Sequence, residues 1–152
     1  MKKLLILLII VLGSYSCTKE TCKCKKDDLT QWKIVDFAVT RSMWELVGIP
    51  NDIGSYYYYV ADVPELTNRI YNDGLFMCYY LFIDDSGYNV QTPLPFTNYD
   101  IILEDDREFP WSVHFSFDVM PGSIAFKIVF SDFYTDDWNP PARCDFRLVM
   151  IY

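Results

Sequence analysis

The chain has 152 residues, a formal net charge of -8 and 51% hydrophobic residues, enough for one domain with a substantial core. Its acidity excludes nucleic acid or anionic lipid as partners held by bulk charge, since both require a basic surface. One histidine and five cysteines also leave no histidine cluster or second cysteine pair to complete a zinc site at Cys22 and Cys24.

Residues 1–16 read as a signal peptide: Lys2 and Lys3, an apolar run from Leu4 to Leu12, and small residues before Cys17. The run is shorter than the roughly 20 apolar residues that span a bilayer. The sequence "GSYSC" resembles the lipobox of bacterial lipoproteins, which implies lipidation of Cys17 as the mature N-terminus. Ser14 and Tyr15 depart from the usual lipobox residues in a way that resembles lipoproteins of the Bacteroidota. Residues 17–30 lack apolar periodicity and predict a flexible tether, and Lys19–Glu20 partly resembles the signal that sends such lipoproteins to the cell surface. The expected location is therefore the outer membrane after export, with the domain surface-exposed. The tether lysines Lys19, Lys23, Lys25 and Lys26 belong at the membrane interface.

From residue 31 to 152 the apolar positions recur with period two, the mark of strands. In "WKIVDFAVT" Val35, Phe37 and Val39 share a face. "YYYYVAD" puts Tyr56 and Tyr58 on one face and Tyr57 and Tyr59 on the other. "PELTNRIYNDG" predicts a short helical turn capped by Thr67 and ended by Gly74. "LFMCYYLFI" is apolar on both faces and predicts a central strand covered on both sides. "WSVHFSFDV" alternates cleanly, with Trp111, Val113, Phe115, Phe117 and Val119 facing inward. "SIAFKIVF" and "CDFRLVMIY" likewise align Ile124 to Phe130 and Cys144 to Tyr152. Breaks fall at 84–87, 104–110, 120–122 and 136–142. Seven or eight such strands predict an antiparallel β-sandwich, Ig-like or jelly-roll, with a small barrel as the alternative.

The series of a tyrosine-rich strand, "ADVPELTNRIYNDG", an apolar strand, "TPLPF" and a closing "FRLVMIY" resembles a pattern in an uncharacterised family of small lipoproteins of the Bacteroides type. The resemblance implies a compact β domain and carries no catalytic residue with it.

Chemistry-bearing residues are few. His114 with Ser112, Ser116 and Asp118 on one strand face is not a triad, because alternate residues stand about 7 Å apart. Carboxylate pairs at Asp84–Asp85, Glu104–Asp106 and Asp136–Asp137 lie in turns, where aspartate serves the backbone; no cofactor is expected, and calcium between two acidic loops is the one metal these oxygen ligands allow. Cys78 and Cys144 read either as buried thiols or as a disulfide between neighbouring strands. Twelve tyrosines and four tryptophans supply rings with a polar edge, the residues enriched at contact sites. Contact candidates are thus Tyr56, Tyr57, Tyr58 and Tyr59 with Trp44, Trp111 and Trp138. They point to a binding module for a glycan or an envelope or host protein, rather than an enzyme. A secreted hydrolase using a loop carboxylate pair and a structural envelope assembly protein are the competing readings.

Overall fold

The computed structural model describes residues 31–104, 107–133, 135 and 140–152, so the expectations for the leader, the tether with Cys17, and Trp138 lie outside the described residues. Among these, nine strands form two antiparallel sheets. They are β1 (Trp32–Thr40), β2 (Glu45–Val47), β3 (Tyr56–Asp62), β4 (Leu75–Ile83), β5 (Asn89–Pro93), β6 (Phe96–Glu104), β7 (Arg107–Met120), β8 (Ser123–Phe130) and β9 (Arg143–Ile151). One sheet has the order β1-β9-β4-β5 and the other β2-β3-β8-β7-β6. The fold is the expected all-β sandwich, with two open sheets in place of the barrel alternative.

Side-chain alternation explains the layering. In β9, Cys144, Phe146, Leu148 and Met150 are fully buried, while the residues between them face outward. Facing them, Ile124, Phe126 and Ile128 of β8 are also inaccessible to solvent. Phe126 stacks on Phe146 across the sandwich at a centroid distance of 4.2 Å, and Tyr80 of β4 stacks on Phe115 of β7 at 4.9 Å. These pairs tie the two sheets together through large apolar areas.

Two connections depend on specific residues. Helix α1 (Asn68–Asp73) starts where the Thr67 hydroxyl accepts a hydrogen bond from the Ile70 amide at 3.3 Å. It ends at Gly74, where a Cβ would stand 2.5 Å from the Ile70 carbonyl oxygen, so only glycine permits the approach. A short link at Leu94–Pro95, with a cis peptide bond, carries the chain from β5 in one sheet to β6 in the other.

The structure corrects two expectations and decides between the two readings of the cysteines. The break expected over 104–110 is shorter, because Arg107 to Pro110 pair with Ile101 to Glu104 and extend β7. Pro110 is tolerated there because the β7–β8 ladder starts only at Val113. Cys78 and Cys144 are free, buried thiols rather than a disulfide. Cys78 lies opposite Leu148 on β9, four residues along the strand from Cys144, or roughly 13 Å at the rise of a strand. That exceeds the roughly 7 Å Cα separation a disulfide permits. Finally, β4 is central in its sheet but covered on one side only: Leu75, Met77 and Ile83 on its outer side are 58%, 40% and 69% exposed. Strong hydrophobicity on both faces read as double burial, yet no described element packs on that outer face.

Candidate binding surfaces

The tyrosine run divides as the period of a strand requires. Tyr57 is buried, its ring 6.1 Å from that of Phe130 and its hydroxyl donating to the Thr135 carbonyl at 3.0 Å. Asn51 locks the same corner, its side-chain oxygen accepting from the Thr135 amide at 2.6 Å. Tyr59 points inward against Trp44 at 6.3 Å. Trp44 is itself buried, with no hydrogen-bond partner for its indole N–H among the described residues. Trp111 is half-buried, stacked on Phe130 at 6.1 Å. Tyr57 and Trp44 are therefore buried packing residues with no free ring face to offer, while Tyr59 and Trp111 are half-buried and packed against the core. An aromatic-rich sequence does not distinguish a ring that closes a core from one that waits for a partner.

Tyr56 and Tyr58 remain, half-buried on the outer face of the five-stranded sheet. Their rings meet edge to face at 6.2 Å, and the Lys127 ammonium stands 4.7 Å over the Tyr56 ring. Tyr58 lies opposite Glu45 on one side and Lys127 on the other. His114 shares this face, its Nδ1 2.9 Å from the Thr97 hydroxyl on β6; that cross-strand bond, rather than a serine, is its partner. One ring face of Tyr56 is occupied by the lysine, so the pair offers edges and one ammonium more than a flat stacking platform.

A concave surface lies on the other sheet. Residues of β1, β9, β4 and β5 line a groove of about 580 Å³, within the size range of ligand clefts. At its floor Arg147 donates to both carboxylate oxygens of Asp36, at 2.7 and 2.9 Å, and to the Gln91 side-chain oxygen at 3.4 Å. Beside it, Arg143 pairs with Asp145 at 2.8 Å. Leu81 and Ile83 form an aliphatic wall, and Asn89 adds a further amide. Register explains the convergence: Asp36 and Tyr79 both lie opposite Arg147, and Gln91 lies opposite Leu81, itself opposite Asp145. The Arg147 hydrogen bonds hold the Asp36 carboxyl below its ordinary range and raise the guanidinium further. None of these six polar positions carries a sequence motif. They converge only through strand pairing.

Other candidates resolve more simply. Asp84 caps its own turn, its Oδ1 accepting from the amides of Ser86 at 3.0 Å and Tyr88 at 2.8 Å. Among the described residues no three His, Cys, Asp or Glu side chains gather to hold a metal ion. Asp105, Asp106, Asp136 and Asp137 lie outside the described residues.

No family model matches the chain, and no curated protein and no solved structure matches it.

Proposed function

We propose that this protein is a lipid-anchored envelope binding module that takes a glycan in the groove over β9. The observation that carries the reading is Arg147, fixed between the Asp36 carboxylate and the Gln91 amide in a concave surface. A hydroxyl-rich ligand needs planar donors and acceptors already oriented, since ordering them on binding costs affinity. The aliphatic wall at Leu81 and Ile83 suits the apolar side of a sugar ring. Within the groove Asp36 does not suit the general acid of a glycosidase, which needs a raised pKa, because Arg147 lowers that of Asp36.

A second reading rests on Tyr56, Tyr58 and Lys127, whose edge-to-face pair and ammonium suit a protein partner. Thermal unfolding against an oligosaccharide panel separates the two. A ligand at about 100 times its Kd adds roughly 2.7 kcal/mol and raises Tm by several degrees. The groove reading expects that rise to vanish in Arg147→Ala and to persist in Tyr58→Ala. The reverse pattern moves the site to the tyrosine face, and no rise with any glycan removes the glycan.

A further inference from the structure

The outer face of the four-stranded sheet is divided by polarity along its strands. At the end where β1 begins, Trp32, Ile151 and Leu75 form one row across β1, β9 and β4, and Ile34, Val149 and Met77 form the next. Trp32 is 68% exposed, Leu75 58%, Ile34 42% and Met77 40%. The third row brings the first charges, Asp36 and Arg147. Val149 and Ile151 between them are half-buried. Single exposed apolar residues are ordinary on a protein surface, but four exposed ones joined by two half-buried ones in an unbroken apolar block on three paired strands are not.

We propose that this block is a lipid-docking surface, by which the domain rests on the bilayer that anchors it. The proposal extends the reading of Cys17 as the lipidated residue and depends on it for the identity of the membrane. Its first support is where the chain enters the domain. Residues 17–30 lead to Gln31, which exchanges two backbone hydrogen bonds with Tyr152, and the next residue is Trp32, in the outermost apolar row. The anchor therefore arrives at this corner and not at another. A tether of that length reaches on the order of 50 Å when extended, and a tethered surface meets its partner at roughly millimolar effective concentration. Weak intrinsic affinity is then sufficient.

Depth is the second support. Adjacent rows on one sheet face stand about 7 Å apart, so two rows match the roughly 5–10 Å to which amphipathic surfaces enter the headgroup and acyl boundary. With the sheet tilted onto this end, Trp32 enters first, a residue whose ring favours the interface. The Asp36–Arg147 row stops at headgroup level. Lys19, Lys23, Lys25 and Lys26 in the tether add attraction to anionic headgroups, which the acidic domain lacks. A second copy fits less well: three strands by two rows cover roughly 200 Å² in plan, short of the roughly 800 Å² per partner of a stable dimer.

The test uses the full chain, purified from membranes and reconstituted in phosphatidylethanolamine and phosphatidylglycerol vesicles with and without brominated acyl chains. Bromolipid is expected to quench the tryptophan emission, and Trp32→Phe to remove most of that quenching. The pair Leu75→Glu and Met77→Glu is expected to do the same while the chain still floats with the vesicles; both positions are exposed, and circular dichroism checks the fold. Quenching unchanged by Trp32→Phe, or absent in vesicle-bound protein, overturns the proposal. So does a cross-linked dimer that the glutamate pair abolishes, which would assign the surface to a second copy. The mass of the N-terminal peptide reports acylation of Cys17 separately. Quenching without acylation sinks the anchor and keeps the docking, and acylation without quenching does the opposite.

Discussion

Phe126 and Phe146 meet face to face at 4.2 Å from opposite sheets, and both are fully buried. Phe37 adds an edge contact to Phe126 at 5.3 Å and Trp44 one to Phe146 at 6.3 Å, so removing either central ring opens a cavity that its neighbours cannot fill. Phe146→Ala is expected to cost about 3–5 kcal/mol, read by urea unfolding. Chemistry at the two described cysteines is decided by the same burial. It pushes the thiols of Cys78 and Cys144 up to about 12, which leaves almost no thiolate at neutral pH. Neither is expected to react with a disulfide reagent in the native protein, and both should react on unfolding. Rapid native labelling of either would contradict their placement. At this scale the sequence located the inward positions of β1, β7, β8 and β9 correctly, because alternation records which face is dry. It did not separate the buried Tyr57 from the half-buried Tyr56 and Tyr58, because a tyrosine whose hydroxyl reaches a backbone carbonyl has the same letter as one reaching water.

Among the elements, α1 was legible from its ends: Thr67 and Gly74 carry cap chemistry that tertiary context did not override. Thr67→Ala should lower stability by about 1 kcal/mol through loss of the bond from the Ile70 amide. Thermal or urea unfolding reads the change, and Thr67→Ser should restore most of it. Strand β4 was legible as central but not as half-naked, since hydrophobicity on both faces does not say what lies beyond the sheet. Strands β1 and β9 are joined by the Asp36–Arg147 pair as well as by their ladder, which gives the sheet a pH dependence. Because Arg147 lowers the Asp36 pKa in the folded protein, the contribution is fully present above the ordinary carboxylate value near 4 and fades as pH falls through the lowered one. Wild type should therefore exceed Asp36→Asn in stability at neutral pH, with the gap closing on acidification below about pH 4. A gap independent of pH would show that the pair adds nothing electrostatic.

For the whole molecule, two properties of one sheet face have different origins. The sandwich itself was readable, because turn residues recur between short apolar runs and those runs alternate. The groove was not, because Asp36, Gln91, Asp145 and Arg147 come from three strands distant in sequence and only the register of β1, β9, β4 and β5 sets them side by side. The result is a face whose rows nearest residue 31 are apolar and whose distal rows are charged and concave. That arrangement suits a module that leans on a membrane while keeping a polar groove clear of the acyl layer. The proposed function requires that the groove receive the ligand. The most direct measurement is a map of backbone amide shifts in isotope-labelled protein, titrated with whichever oligosaccharides raise Tm. Saturable shifts are expected at Asp36, Gln91 and residues 143–147, and are expected to be lost in Arg147→Ala. Shifts confined to Tyr56, Tyr58 and Lys127, or none in the groove at saturating ligand, would contradict that function.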